Sequence, residues 1–440
     1  MKKFVLFSIL ILVCITAVLW QIFYPCNEAK TTIRFSSWGS QTETALLIPL
    51  IKQFESENPD IKVEFIHIPQ NYFQKLHLLF ASNLAPDVVF INNHYAPKYI
   101  KAGLLCDLSG YVNKNDYFDK ALQGFIFEDK IYAVPRDVSN LVIYYNKDLF
   151  KQYDVPFPDK NWTMSDFLAA AKKLTRNDLK GIGYETDMIF VLPYLFSNGG
   201  AILSEDGKTL EIDKKETLEA LDNFSALANV YKVAPKKSET ASRTTAQMFL
   251  QKKIAMHLSG RWLVPKYRQE ADFDWDIAPF PKGKNGSVVN IDASGYALSK
   301  ASAHKKESIK FIEFISSKDS LNALSKSGLI VPARKDSAYS DMFLDKAQKP
   351  LHSRVFVDVI ETGKVTPVNE NYQKITDYLK IALEPVYLGK RKAHEVITHK
   401  LLIDLSRYAY SNFFNKCQAA YICSWKKSGL HRKSSLYYFV

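Results

Sequence analysis

Two rhythms of apolar and polar positions alternate along this chain: short apolar runs and helical spacing. Thr31 to Phe35 and Ile61 to Ile66 read as strands, rich in β-branched and aromatic residues. Between them, Thr42 to Glu57 places apolar residues at 45, 46, 48, 50, 51 and 54, which is helical spacing stopped by Asn58-Pro59-Asp60. Strand, helix, strand at this length predicts a parallel βαβ unit. A second helix over Phe73 to Asn83 leads to Val88–Ile91, an unbroken apolar run that suits a strand buried on both faces. The loop Asn92-Asn93-His94 follows at that strand's carboxyl end, where open α/β sheets bind ligands. His94 by itself reads as a solvated loop residue.

The segment that organises the pattern is Lys130–Phe150, KIYAVPRDVSNLVIYYNKDLF. Two apolar runs, Ile131–Val134 and Leu141–Tyr145, flank the polar insert Pro135–Asn140, and the proline keeps Val134 extended. Strand, polar break, strand is the signature of a chain leaving one packed layer for another. Farther on, Asn161-Trp162-Thr163 opens a helix with Thr163 as N-cap and Asp166 completing an approximate capping box, so Trp162 is expected to pack the helix entry. Tyr194–Leu203 runs into Asn198-Gly199-Gly200, read as a tight turn, and Asp213 with Glu216 is expected to cap the next helix. Thr244–Lys252 predicts a short helix, and Ile254–Leu258 and Asp274–Ile277 predict strands; Lys305–Ser316 predicts another helix. After the Ile254 strand stands Ser259-Gly260-Arg261-Trp262, where a glycine beside a tryptophan lets the indole project into a cleft.

The wording of several segments adds to their pattern. IYAVP, a polar step and YYNKDLF resemble the lobe-crossing segment of bacterial extracellular solute-binding proteins of the family-1, maltose-binding-protein-like type, the sugar-binding capture components of ABC importers. The resemblance extends through Asn58-Pro59-Asp60-Ile61-Lys62-Val63, Ala85-Pro86-Asp87-Val88-Val89, Trp162 with its helix, Gly260-Arg261-Trp262 and Gly295-Tyr296-Ala297-Leu298-Ser299, in family order. Gln251 stands where the family commonly has glycine. The resemblance implies an α/β, two-lobe periplasmic-binding-protein-like fold of type II, with three interlobe crossings and a ligand cleft between the lobes. Asn290–Ser299 and Gly328–Arg334 would be the second and third crossings. Lobe 1 would comprise 30–138 and 290–334, and lobe 2 would comprise 139–289 and 335–406.

Sugars have apolar faces and hydroxyl rims, so aromatic planes stack on them while polar side chains bond the rim. The expected ligand-binding residues are Trp38 and Trp262 for stacking, with Gln41, Asn92, Asp137, Arg261 and Asp292 as polar partners. In the resembling family the tryptophan at 262 often stacks on a sugar ring. The family segment places Asp137, and the strand-end argument places Asn92. Arg136, Arg261 and Arg334 keep a second reading open, a glycerol phosphate or phosphodiester ligand. A rival reading is an exported carbohydrate-active hydrolase with Asp137 and Asp292 as its carboxylate pair. No G-x-S-x-G, Gly-Lys-Ser/Thr or G-x-G-x-x-G motif occurs, and the expectation is a binding protein rather than an enzyme. A tethered scaffold without a small-molecule cleft is the third alternative.

Length and charge refine this. A chain of 440 residues is large for one core, which favours two lobes. The net charge of +12 is uneven: Lys2 and Lys3 lead, and Lys416, Lys426, Lys427, Arg432 and Lys433 crowd an acid-free end. Elsewhere bases are dispersed among acids, so no nucleic-acid footprint is expected. The five cysteines lack metal-ligand spacing, and neither metal, cofactor nor disulfide framework is expected. Met1-Lys2-Lys3 before the charge-free Phe4–Tyr24 is an export signal that is also long enough to span a bilayer. No A-x-A-like cleavage site follows, and Phe23-Tyr24-Pro25 before Cys26 argues against lipid attachment there. Residues 1–29 are therefore either a cleaved signal peptide or an N-terminal membrane anchor, and both put the body in the periplasmic or extracytoplasmic space. The expected partners are a sugar or polyol and the permease subunits of an ABC transporter, with the chain itself a monomer. From Arg407 the sequence turns basic and aromatic, a divergent extension over 407–440.

Overall fold

The computed structural model describes residues 30–240 and 243–409, so the leader 1–29 and the extension beyond Ala409 lie outside the described residues. Among the described residues no helix is long and apolar enough to cross a membrane. The fold mixes helices with sheets and divides into two compact units. One runs up to Phe90 and takes in Ala297–Ser317; the other holds Ile91–Tyr296 and the chain from Lys318. The chain thus passes between units three times, at 90/91, 296/297 and 317/318.

Beginning in the first unit, β1 (Thr31–Ser37), helix α1 (Gln41–Glu57), β2 (Ile61–His67), helix α2 (Tyr72–Ala81) and β3 (Val88–Asn92), whose last two residues belong to the second unit, follow the predicted βαβ order. Both β2 and β3 pair with β1 in parallel. Ser40 caps α1 by accepting from the Glu43 amide. Leu47, Leu50, Ile51 and Phe54 then form the helix's buried stripe. Phe311, on the helix Lys305–Ile315, packs against Phe35 at 5.2 Å and Phe54 at 5.1 Å between ring centroids. Asp87 locks the strand end, accepting from the Arg34 amide at 2.8 Å and from the Ser302 hydroxyl at 2.5 Å.

Besides the small hairpin of Ile126–Phe127 with Lys130–Ile131, the second unit carries strands of two sheets. These are β4 (Val134–Ser139), β5 (Val142–Asn146), β6 (Lys180–Gly183), β7 (Ile254–Ser259), β8 (Trp275–Ala278), β9 (Asn290–Leu298), β10 (Val331–Pro332) and β11 (Lys364–Val365). In one sheet β4 pairs antiparallel with both β9 and β10, and β11 adds to β9 in parallel. The other runs β8-β5-β7-β6, with β5 and β7 buried along their whole length. The polar insert Pro135–Asn140, expected as a break, is mostly strand: β4 takes in Pro135 to Ser139. Pairing on both edges overrides its composition, since every backbone group of a doubly flanked strand has a ladder partner. Of the apolar run before it, Ile131 belongs to a short strand, Lys130–Ile131, Val134 opens β4, and Tyr132 and Ala133 belong to neither.

Two local readings hold and two change. Thr163 and Asp166 form the full capping box, and the buried Trp162 donates from its indole nitrogen to the Pro279 carbonyl at 2.8 Å. Gly199 has φ of +86°, as its tight turn requires. Asp213 does not cap the helix Lys215–Asn229; Lys214 is the N-cap residue and makes no side-chain cap bond. The last described helix, His399–Ala409, runs through the point where the extension was expected to begin.

Candidate functional site

The register of β4 against β9 sets the polar centre of the second unit. Ser139 pairs with Asp292 and Asp137 with Ser294. Directly paired residues share a face, and so do residues two apart on one strand, so all four stand on the same side of the sheet. A register shift between Ser294 and Gly295 ends this regular stretch, at a glycine where a Cβ would meet the Val134 carbonyl oxygen at 2.5 Å.

Asp292 is the hub of this face. It is 5% exposed, and its Oδ1 accepts from Asn93 Nδ2 at 3.0 Å and from His94 Nε2 at 2.7 Å, while Oδ2 accepts from Asn290 Nδ2 at 2.7 Å. Burial raises the carboxyl's pKa, but the charge and hydrogen bond of His94 and the bond from Asn93 outweigh it and hold the group at about 2. An ionised Asp292 can only accept, so Nε2 of His94 carries the proton toward it and Nδ1 is the ring nitrogen left for other partners. The His94 ring packs edge-on against Tyr372 at 5.0 Å. Asn93 ties the loop to β9 a second time, exchanging hydrogen bonds with the backbone of Ala293. His94 is thus a held side chain and not the solvated histidine expected of its loop. Asn92 uses its Oδ1 to accept from the Tyr95 amide at 3.2 Å, which shapes the same turn.

Asp137 is buried and ion-paired with Arg136 at 2.6 Å. Arg334 pairs with Asp116 at 3.4 Å and with Asp336 at 3.0 Å. Arg261 differs from both. It follows β7 in the turn Arg261–Leu263, is 3% exposed, and lies 4.0 Å from the Phe343 ring centroid and 5.2 Å from that of Phe356. Burial lowers its guanidinium to about 9; the Tyr144 phenol opposes that shift and Arg268 adds to it. The Tyr144 hydroxyl also donates to the Gly260 carbonyl at 2.8 Å, fixing the turn.

Trp262, the next residue, is 38% exposed, with its ring folded against Gly260. A methyl at Gly260 would meet that ring at 1.9 Å, so the indole holds this position only because residue 260 is glycine. In the first unit, Trp38 is half-buried on Tyr72, Phe73 and Phe90, at centroid distances of 5.1, 5.3 and 4.3 Å. Gln41 is exposed in the first turn of α1. Sequence reasoning missed Asn290, Phe343 and Phe356 and undervalued Asn93 and His94. The strand-end position of Asn92-Asn93-His94 was the one signal that pointed at the last two.

Among the described residues no group of three or more metal-ligating side chains converges. Residues 38–321 match the family model of the bacterial extracellular solute-binding proteins. The multiple sugar-binding protein of Streptococcus mutans is 26% identical, over 66% of this chain and 72% of its own. The maltodextrin-binding protein of Bacillus subtilis is 25% identical, over 72% of this chain and 76% of its own. A solved ABC substrate-binding protein of Listeria monocytogenes, in complex with cycloalternan, superposes with a TM-score of 0.79 at 28% identity, covering 87% of this chain and 99% of that one.

Proposed function

The chain belongs to the bacterial extracellular solute-binding proteins, and from that premise we propose that it captures a sugar or related polyol outside the cytoplasm and delivers it unaltered to an ABC-transporter permease. The observation that carries this reading is the two-lobe fold held in common with an ABC substrate-binding protein solved in complex with cycloalternan. Lobe 1 is assigned to 30–138 and 290–334 and lobe 2 to 139–289 and 335–406. A ligand bonded to both lobes favours their closed arrangement by its differential affinity, and that arrangement reports occupancy to the permease. Trp38 and Trp262 serve as stacking planes, and Gln41, Asn92 and Asp137 as hydrogen-bonding partners. Asp292 acts on the ligand through His94, whose tautomer and orientation it fixes. Residues 1–29 deliver the body across the membrane and either leave it or stay as its anchor.

Calorimetry and thermal melts of the protein with glucose, maltose, maltotriose and glycerol test this. At ligand concentrations near a hundredfold above Kd the melting temperature should rise by on the order of 3 °C. The absence of any shift or binding heat across mono- and oligosaccharides would remove the reading. Gly260→Ala should displace the Trp262 indole and weaken binding by about tenfold, with a far smaller effect on the melt.

The hydrolase reading would need Asp137 as its general acid, because Asp292, held at about 2, could serve only as the ionised member of the pair. Incubated glycosides should be recovered intact; reducing ends that appear with the native chain and vanish in Asp137→Asn would favour the enzyme.

A further inference from the structure

A buried cation normally faces a carboxylate, because charged side chains are rarely buried unless they are paired. Of the three arginines whose sequence setting admits an anionic ligand, Arg136 and Arg334 have such partners. Arg261 has none: Nε, Nη1 and Nη2 are all buried and without a hydrogen-bond partner among the described residues. Its environment does not neutralise it either. One charge that acts on it is a second guanidinium, Arg268, whose Nε and Nη1 donate to the backbone carbonyls of Lys349 and Lys326. Asp345 acts on Arg268. The Tyr144 phenol gives its proton to the Gly260 carbonyl.

The aromatic shell is the second observation. Phe343 and Phe356 lie within cation–π range of the guanidinium and offer its N–H groups no hydrogen-bond acceptor. The fork of donors is thereby left for a planar or tetrahedral oxyanion.

We propose that Arg261 is the receptor for an oxyanion carried by the ligand, a phosphate ester or a carboxylate on the sugar or polyol, which it takes bidentately while the adjacent Trp262 receives the ring. The proposal rests on the solute-binding reading above and narrows its substrate class. With its pKa at about 9 the guanidinium stays charged at neutral pH, and an anion docked on it would raise that value again.

The test is calorimetry on the native chain with glucose, glucose 6-phosphate, glucuronate, glycerol, glycerol 3-phosphate and inorganic phosphate. At least one anionic solute should bind about 100-fold more tightly than its neutral parent, and Arg261→Met should bring that ratio close to unity. Arg261→Lys should recover part of it, since lysine restores the charge without the fork. Preference for glucose 6-phosphate over glucuronate identifies a phosphoester, and the reverse order a carboxylate. Inorganic phosphate binding as tightly as any organic anion would mean an adventitious ion only and would overturn the proposal. So would an Arg261→Met protein that melts several degrees lower without ligand while its ratio of affinities is unchanged, the behaviour of a purely structural arginine. Neutral sugars binding with no anion preference would overturn this inference and leave the solute-binding reading standing; no binding by any member would also overturn it, and the solute-binding reading would fall with it only if maltose and maltotriose bound no better.

Discussion

Acidification from about pH 6.5 toward pH 4 should destabilise the folded protein by on the order of 3 kcal/mol through His257 alone. This histidine lies on β7, 2% exposed, and burial holds its imidazole at about 3, far below the usual 6.5. Its hydrogen bonds fix the neutral form. Thr245 donates its hydroxyl to Glu185 at 2.6 Å, so toward His257, 3.0 Å away, that oxygen can only accept. Nε2 therefore carries the proton, and Nδ1 accepts from the Tyr267 hydroxyl at 2.6 Å. Protonating Nδ1 would require that phenol to turn and accept, inside a shell formed by Tyr144, Tyr267 and Phe249. Because the folded pKa lies below the unfolded one, the unfolded chain binds the extra proton. The stabilisation is complete above about pH 6.5 and is lost progressively as the pH falls toward 3, at up to about 1.4 kcal/mol per unit. Urea denaturation at several pH values should show this slope, and His257→Gln should flatten it. A slope unchanged by that substitution would place the titrating group elsewhere.

How much of this was legible beforehand follows from what the sequence can encode locally. Helix α1 and β3 were visible because apolar positions repeat along one element: Leu50, Ile51 and Phe54 at helical spacing, although that reading left out the buried Leu47 and counted the exposed Ile48, and Val88 to Ile91 on a strand covered on both faces. The same holds for the Thr163 capping box, whose partners are three residues apart. Strand β4 was not visible, because Pro135, Arg136 and Asp137 become strand only through pairing with chain segments about 150 to 200 residues away.

The candidate site divides the same way. Residue types suggested Arg261, Trp262 and Asp292, and Gly260 signalled a projecting indole. Partners were out of reach: Asn93 and His94 meet Asp292 across nearly 200 residues, and Phe343 and Phe356 reach Arg261 from 82 and 95 positions downstream. Without those partners an aspartate in a strand and an arginine in a turn look equally available to a ligand. With them, Asp292 becomes a carboxylate committed to its own neighbours, and Arg261 a cation with unclaimed donors. Three arginines equivalent in sequence thereby separate into two ion-paired ones and one that is not.

Asp292→Ala should be the most damaging single substitution in this region, with a cost of about 3–5 kcal/mol. The methyl leaves the side-chain donors of Asn93, His94 and Asn290 without their acceptor. Asn93 and Asn290 are buried where water does not replace it. Asp292→Asn keeps the volume and one acceptor oxygen but turns an N–H group toward neighbours that are themselves donors, so it should cost less, about 1–3 kcal/mol. The charge also explains the pH window. Because the folded carboxyl is held at about 2, below its usual 3.8, its contribution is complete above about pH 4 and is lost only as the pH falls toward 2. That range lies largely below the one governed by His257, so melts of the two variants separate the contributions. His94→Ala supplies the functional half of the argument. It should leave most of the stability, because Asp292 keeps Asn93 and Asn290 as donors, and it should weaken solute binding by at least about tenfold, because the side chain that the hub orients is gone. If His94→Ala bound every solute normally while Asp292→Ala still unfolded early, the hub would serve only to join the loop after β3 to β9.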